Sequence, residues 1–277
     1  MRGNEFATAR RMVILTSILF MCLLLWQSYS ASRAHQQYQE ALMNGVTDNL
    51  LLDIQEYFQR LRRDIDLFQR RHNDSISLLY HQGKNAKKET YFPTLHALKD
   101  ELAHTRLFAI IDEQGDGVLK HITGDFLPAC KEEVESTIKL GTQEQLFLHR
   151  SQSSVHFDIL QPLLASPDHK AFFFTAFNPV EIEKLLKRYQ LPHQQLFLMR
   201  TDNAGKIELS TEKRHGIHSK MVMSAKELSY FSYVKPIPGT RWQLAIRLEP
   251  EYSSWLYLEG LLKAGLIWLL ITLFVYV

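Results

Sequence analysis

Two apolar runs, one near each end of the sequence, constrain the fold of this chain more than any other feature. Residues 12–26 are apolar except for Thr16 and Ser17, and residues 27–29 follow at the edge of this run. The run is then just long enough for a helix that crosses a bilayer, which needs about 17–25 residues. A second apolar run extends from Ala264 to Val277. We therefore predict two transmembrane helices that flank a mixed polar and apolar segment.

The first run has an alternative interpretation as a cleaved signal peptide, with Arg10 and Arg11 as its basic region. No good cleavage site follows, and the run leads directly into a helical pattern, so we favour an uncleaved anchor. Because Arg2, Arg10 and Arg11 precede the run, the positive-inside rule places the N-terminus in the cytoplasm. The middle of the chain then lies outside. The second run is short for a crossing, so we expect the chain to continue beyond Val277.

Composition and motifs exclude several classes of function. The formal net charge is +2, and no basic stripe is interleaved with aromatic residues, so nucleic acid is not an expected partner. The sequence contains no phosphate-binding glycine loop and no hydrolase or zinc-protease motif. Cys22 lies inside the first run, so it cannot pair with Cys130. The spacing of His215 and His218 would suit a metal, but no cysteine or carboxylate pair completes the site. No catalytic residue, metal or cofactor is predicted.

A long amphipathic pattern follows the first run. Apolar residues recur at steps of three or four, which predicts one helix over residues 31–73 with a single apolar stripe. Gly45 weakens this helix without ending it. The stripe packs on its own domain, or forms a dimer seam, or does both, with the lower half pairing and the upper half covering a sheet. It comprises Ala31, Ala34, Tyr38, Leu42, Val46, Leu50, Ile54, Phe58, Leu61, Ile65 and Phe68.

The segment Asp112–Gly117 matches the start of an EF-hand calcium loop. However, Thr123 stands where such a loop needs a bidentate glutamate. The sequence "LFAIIDEQGDGVLK" at 107–120 is echoed by "LFLMRTDNAGKIEL" at 196–209, and the second copy has Lys206 where the first has an aspartate. A repeat that keeps the turn and loses a ligand favours a strand–turn–strand hairpin in both copies.

Short strands and polar turns in the rest of the segment predict two antiparallel sheets. Asn178 and Glu181 predict a capping box that begins a helix ending near Tyr189. We predict a loop over 81–90, then a helix from residue 92, and a further helix over 131–140. The predicted strands are 107–111, 118–122, 146–150, 155–160 and 171–177 in the first sheet, and the second hairpin, 228–236 and 241–248 in the second.

Taken in order, these features resemble the extracytoplasmic sensor domains called double Cache, or PAS-like periplasmic sensors. The resemblance rests on the sequence segments "FAIIDEQGDGV", "FDILQPLL" with "AFFFTAFNP", and "GTRWQLAIRL". The resemblance implies an α+β fold, in which a long N-terminal helix and two tandem PAS-like antiparallel sheets are flanked by two transmembrane helices. The implied divisions are a cytoplasmic tail (1–11), transmembrane helix 1 (12–30), a long periplasmic helix (31–73), a membrane-distal lobe (74–190), a membrane-proximal lobe (191–255) and transmembrane helix 2 (256–277).

The resemblance also implies a signalling receptor, which we place in the bacterial inner membrane, and the charges before the first run place residues 31–255 in the periplasm. The apolar stripe of the long helix predicts a homodimer formed through that helix. The outer part of the receptor would bind a small molecule or a periplasmic protein. Its cytoplasmic output domain would be a diguanylate cyclase, which we favour over a histidine kinase or a chemoreceptor, and any enzymatic activity would lie there. The amino-acid-binding signature of one Cache subgroup is not recognisable. The competing interpretation is a membrane-anchored interaction module with no small-molecule ligand.

Strand alternation gives the candidate binding site. His156 and Asp158 share one face of their strand with Leu160, while the next strand places two phenylalanines on one face. Polar groups on an apolar sheet suit a small polar ligand. The alternative is that they form the solvent-facing side of a half-buried sheet. The predicted ligand-binding residues are His149, Arg150, His156, Asp158, Phe172 and Phe174.

Overall fold

The first element is a helix, α1, that extends from Arg2 to Arg71 without a break. It joins the first apolar run to the amphipathic pattern, and it continues through Gly45 as predicted. Among the residues that the structure describes, α1 is the one helix whose length and composition suit a membrane crossing. The structure, a computed structural model, describes residues 2–118, 134–135, 137–138, 148–150, 155–166, 171–202, 205–211 and 222–276.

The chain forms two compact units. Unit 1 comprises residues 1–45, 192–194 and 248–277, and unit 2 comprises residues 46–191 and 195–247. Unit 1 contains the N-terminal part of α1 and the C-terminal helix α6 (Pro250–Tyr276). Unit 2 contains the rest of α1 and nearly all of the sheet structure, so the α+β class and the antiparallel sheets are confirmed.

The described residues of unit 2 form two four-stranded sheets. The first has the order β1-β4-β3-β2 and the second the order β6-β5-β8-β7. The strands are β1 (Thr105–Asp112), β2 (Leu148–Arg150), β3 (Val155–Pro162), β4 (Ala171–Phe177), β5 (Gln194–Arg200), β6 (Ile207–Ser210), β7 (Tyr233–Pro236) and β8 (Trp242–Leu248). The other helices are α2 (Asn73–Gln82), α3 (Lys88–Glu101), α4 (Val180–Tyr189) and α5 (Ala225–Leu228), with a 3-10 turn at Gly83–Asn85.

The upper half of the α1 stripe packs on the first sheet, as predicted. Leu50, Ile54 and Ile65 are fully buried. Phe58 meets Phe157 edge-on at a centroid distance of 5.6 Å, and Phe68 lies 6.3 Å from Phe173. Burial of each such side chain contributes about 1.5–3 kcal/mol. These contacts fix α1 against one face of the sheet.

The lower half of the stripe is exposed within the chain. Tyr38 is 61 % exposed and Leu42 is 37 % exposed, and Ala31 and Ala34 are exposed too. The buried face of α1 passes instead through Met43 and Thr47. Within the single chain, an apolar strip along the lower part of α1 is therefore exposed.

Several predicted element boundaries were wrong. Helix α2 was not predicted, and α3 begins at Lys88, inside the predicted loop. The strand predicted over 228–236 begins only at Tyr233, because a helical turn, α5, precedes it. Ser224 caps that turn: its Oγ accepts from the Glu227 N–H at 3.3 Å, and the Glu227 carboxylate accepts from the Ser224 N–H at 2.7 Å.

The capping box predicted for α4 is also wrong. The helix begins at Val180, whose N–H donates to the Asn178 side chain at 3.2 Å. The Glu181 carboxylate contacts Lys184 and His104 instead. Of the predicted helix over 131–140, residues 134–135 and 137–138 are helical. The strand predicted over 118–122 lies outside the described residues beyond Val118.

Candidate functional site

The candidate site lies on the face of the first sheet that points away from α1. Phe157 and Gln161 on β3 face α1, since Phe157 meets Phe58 and the Gln161 amide donates to the Arg62 carbonyl at 3.1 Å. Alternation along β3 therefore places His156, Asp158 and Leu160 on the opposite face.

His156 and Asp158 are both withdrawn from solvent. The His156 side chain is 2 % exposed and that of Asp158 is 10 % exposed, and His156 Nε2 lies 3.6 Å from Asp158 Oδ1. A buried carboxylate costs free energy unless its environment compensates the charge, and a nearby imidazole provides such an environment. The solvent-facing alternative is therefore wrong for these two positions.

The two predicted phenylalanines lie on this same face. In the antiparallel register, Asp158 is opposite Ala176, and Leu160 is opposite Phe174. Phe174 is buried and Phe172 is half-buried. They belong to one apolar cluster of Leu107, Ala109, Ile111, Val134, Ile138, Leu160, Phe172, Phe174 and Ala176. The face thus combines one acid–imidazole pair with an apolar wall.

His149 and Arg150 belong to β2, next to β3. The backbone register places His149 opposite His156, and Arg150 opposite Val155. The side chains of His149 and Arg150 lie outside the described part of the molecule, so their contribution to the site stays a prediction. The pair His215 and His218 also lies outside it.

The segment Asp112–Gly117 is a turn. Asp112 Oδ1 accepts from the N–H groups of Gln114 at 3.0 Å and Asp116 at 2.8 Å. The Asp112 N–H donates to the Asp116 carbonyl at 3.0 Å, and Gly115 has φ +85°. The aspartate therefore organises the backbone of the hairpin, as the repeat predicts.

The second copy of this turn uses its aspartate differently. Gly205 keeps a positive φ, +95°. The Asp202 carboxylate is held by Arg200 and lies 3.6 Å from Arg241. The hydrogen bond from Arg200 and the charges of both arginines hold the pKa of Asp202 below its usual value. The shared feature of the two copies is thus the turn and its glycine.

Glu208 was missed by the sequence analysis. It is 1 % exposed, and its Oε2 accepts from the Leu148 N–H at 2.8 Å and from Trp242 Nε1 at 2.6 Å. Burial raises the pKa of the Glu208 carboxyl above its usual value, although both hydrogen bonds oppose this shift. The available signal was a charged residue between Ile207 and Leu209 in an otherwise apolar strand.

Glu208 joins the two sheets of unit 2. Leu148 begins β2 of the first sheet, whereas Glu208 and Trp242 lie on β6 and β8 of the second. The Trp242 ring is fully buried and lies 5.6 Å from Phe58 and 6.2 Å from Phe157. We call Glu208, Trp242, Phe58 and Phe157 the inter-sheet junction, because they connect both sheets with α1.

A second feature that was missed is a histidine contact at the start of the first sheet. His104 has φ +66°, and its carbonyl accepts from the Asn178 N–H at 2.9 Å. Its Nε2 lies 2.9 Å from Glu181 Oε1. A residue just before β1 thereby holds the helix that follows β4.

The same contact occurs at the start of the second sheet, within unit 1. His193 has φ +59°, and its carbonyl accepts from the Glu249 N–H at 2.9 Å. Its Nδ1 lies 3.4 Å from Glu249 Oε2, and its ring stacks on Tyr252 at 4.0 Å. We call the two contacts histidine clasps. The sequence signal was "His-x-x-Leu-Phe", which occurs at 104–108 and 193–197.

Comparison with known proteins identifies the fold. No family model and no curated protein matches the sequence. The ligand-binding domain of the Pseudomonas fluorescens chemoreceptor CtaA, solved in complex with L-isoleucine, is 13 % identical and aligns with 81 % of this chain and 98 % of its own, with a TM-score of 0.53. The fold is that of the Cache sensor domains.

The sensor domain of the V. cholerae histidine kinase DctB is also similar to this chain. It is 9 % identical, and the alignment covers 79 % of this chain and 97 % of that one, with a TM-score of 0.49. At 13 % identity, the likeness to the CtaA domain shows the Cache fold alone. The function of this chain therefore depends on its own residues.

Proposed function

We propose that this chain is the extracytoplasmic sensor region of a bacterial transmembrane signalling receptor. Residues 31–255 lie in the periplasm, and the signal passes through the second span to a cytoplasmic output domain. The observation that carries the proposal is the way the sensor fold is attached: α1 contains the apolar run, and β8 continues through Glu249 into α6. By length alone, the 27 residues of α6 are enough for a crossing, although α1 is the one described helix whose composition also suits a membrane.

Two tandem PAS-like lobes, over 74–190 and 191–255, form the sensor. In each sheet the first strand is hydrogen-bonded to the last strand in sequence, so the two sheets share the strand orders β1-β4-β3 and β5-β8-β7. A histidine clasp precedes the first strand in both, and a positive-φ glycine follows it in both. These three shared features support a repeated lobe more strongly than the degenerate sequence repeat does.

The ligand of this receptor is a small molecule with one polar and one apolar part, bound at the face away from α1 in the first lobe. His156 and Asp158 would supply hydrogen bonds, and Phe172 and Phe174 the apolar wall. Binding sites of this kind combine a mainly apolar lining with a few polar groups that fix orientation. His149 and Arg150 complete the proposed set.

The inter-sheet junction and the second clasp carry the signal onward. A ligand that moves β3 displaces Phe157, which contacts Trp242, and Trp242 is bonded to Glu208 in the second sheet. The last strand of that sheet leads to Glu249 and the clasp with His193, at the start of α6. A homodimer forms through the exposed lower strip of α1, and a diguanylate cyclase is our favoured output domain.

Ligand-induced stabilisation tests this proposal. The full chain in nanodiscs is heated with a panel of organic acids, amines, nucleosides and amino acids. A ligand at 100 times its Kd adds about 2.7 kcal/mol to the free energy of unfolding. Asp158→Asn should weaken a true ligand about tenfold, because one charge-assisted hydrogen bond is lost.

The matched control is Asp66→Asn, which removes an exposed ion pair with Arg70 on α1. It should leave the affinity unchanged. If no compound stabilises the chain, the interaction module without a ligand is the better account. If a compound binds both variants equally, the site lies elsewhere.

A further inference from the structure

A cavity of about 350 Å³ lies between α1 and α6 in unit 1. Ser28, Ser32 and His35 line its α1 wall, and Glu259, Gly260 and Lys263 line its α6 wall. Polar groups thus converge at one level of two helices that are otherwise largely apolar there.

The floor of the cavity is fixed by close helix packing. A Cβ atom added at Gly260 would collide with Ser28 Oγ, so the absence of a side chain there allows the two helices to approach. Ala264 is 4 % exposed one turn further on. Trp268 Nε1 donates to Ser17 Oγ at 3.1 Å. The polar groups that line the cavity are therefore held by two helices in close contact.

Two of the lining residues carry opposite formal charges. Lys263 Nζ lies 2.5 Å from Glu259 Oε1, one helical turn away. The Lys263 side chain is 70 % exposed and that of Glu259 is 31 % exposed. The cavity therefore presents one accessible cation and one accessible anion side by side. His35, which also lines the cavity, has its Nε2 3.3 Å from the Tyr252 hydroxyl.

We propose that this cavity binds the headgroup of phosphatidylethanolamine, a zwitterionic phospholipid with a primary ammonium. The phosphate accepts hydrogen bonds from Lys263 Nζ and from the hydroxyls of Ser28 and Ser32. The ammonium donates to the Glu259 carboxylate. The inference rests on the proposed function, since α1 and α6 must cross the bilayer for residues 28–35 and 259–263 to lie at its outer surface.

The charge pair explains the selectivity for this headgroup. Phosphatidylcholine carries the same net charge, but its quaternary ammonium has no N–H to donate to Glu259. Phosphatidylglycerol has no cation, and Glu259 repels its net negative charge. Lys263 alone would favour an anionic headgroup, so Glu259 is the residue that sets the preference.

Lipid retention tests the site. The full chain is released from nanodiscs of equal phosphatidylethanolamine, phosphatidylcholine and phosphatidylglycerol content, and the retained lipids are counted by native mass spectrometry. We expect phosphatidylethanolamine to be retained about tenfold over the other two, as the gain of one charge-assisted hydrogen bond predicts. Lys263→Gln should lower retention of phosphatidylethanolamine and phosphatidylglycerol. Glu259→Gln should reverse the preference towards phosphatidylglycerol.

Arg33→Gln and Glu40→Gln are the matched controls, because both remove an exposed charge on α1 outside the cavity. Neither should change the preference. Equal retention of the three lipids, or a preference that survives Glu259→Gln, overturns the site. Labelling of cysteines placed along α6 with an impermeant maleimide separates the two proposals: if α6 is labelled throughout, the membrane topology fails as well, whereas protection with equal lipid retention defeats the lipid site alone.

Discussion

At the scale of single residues, Glu208 has the clearest physical consequence. Its carboxylate is buried between the two sheets and accepts two hydrogen bonds through one oxygen. Burial of a charge costs free energy that hydrogen bonds offset only in part. The raised pKa of Glu208 is the signature of this cost.

The stability of the chain should therefore depend on pH through Glu208. A carboxyl whose pKa is higher in the folded state binds more protons there than in the unfolded state. The free energy of unfolding then falls as the pH rises from the usual glutamate value through the raised one. Glu208→Gln keeps an oxygen that accepts both bonds and removes the titration, so the variant should lose less stability than the wild type between about pH 5 and about pH 8.

Urea unfolding of both proteins at the two pH values measures this difference. Glu56→Gln is a suitable control, because Glu56 forms an exposed pair with Arg60. Parallel pH profiles for wild type and Glu208→Gln would show that the buried carboxyl does not carry the effect.

At the scale of elements, the histidine clasps hold the helix that follows each sheet. Both histidines adopt a positive φ, which a non-glycine residue adopts at a cost in free energy. A residue other than glycine is expected at such a position where its side chain makes a stabilising contact that glycine cannot make. Here the side chain contacts Glu181 in one case and Glu249 in the other.

Substitution by glycine separates backbone from side chain. His193→Gly relieves the cost of φ +59° but loses the stack on Tyr252 and the contact with Glu249. An aromatic pair contributes about 0.5–1.5 kcal/mol, which corresponds to about a two- to tenfold faster local opening. We expect the peptide 249–252 to exchange its amide hydrogens faster by this factor in a deuterium-exchange experiment.

His104→Gly provides the reciprocal control. It should speed exchange at the start of α4 and leave 249–252 unchanged. Slower exchange at 249–252 in His193→Gly would mean that only the backbone conformation matters and that the clasp has no holding role.

The elements also show which parts of the fold the sequence can predict. Periodicity predicts α1 and its buried upper stripe, because helix burial repeats every three or four residues. The Asp112 turn follows from a repeat that conserves its glycine. By contrast, the strand predicted from residue 228 begins only at Tyr233, since the Ser224–Glu227 capping box starts the helical turn α5 just before it.

The sequence likewise predicts one part of the candidate site and fails to predict another. Strand alternation predicts that His156 and Asp158 share a face, because the side-chain period of a strand is two. It does not indicate that Glu208 meets Leu148, which lies 60 residues away in sequence. Residue propensities for secondary structure do not predict the positive φ of His104 or His193 either. Long-range polar contacts of this kind depend on the packing of complete sheets.

At the scale of the whole molecule, the proposed sensor would be held outside the membrane by a helix at each end. The apolar run in α1, the Cache fold and the direct passage from β8 to α6 all fit this arrangement. The exposed lower strip of α1 suits a second copy. Each functional proposal for the sheets depends on their lying outside the membrane.

Cysteine accessibility in intact cells tests this claim most directly. In a background without Cys22 and Cys130, Lys226→Cys places a thiol on the exposed surface of α5, and Glu5→Cys places one before the first span. A maleimide that enters the periplasm but not the cytoplasm should label Lys226→Cys and spare Glu5→Cys until the cells are lysed. Labelling of Glu5→Cys with protection of Lys226→Cys, or protection of both, would contradict a periplasmic sensor.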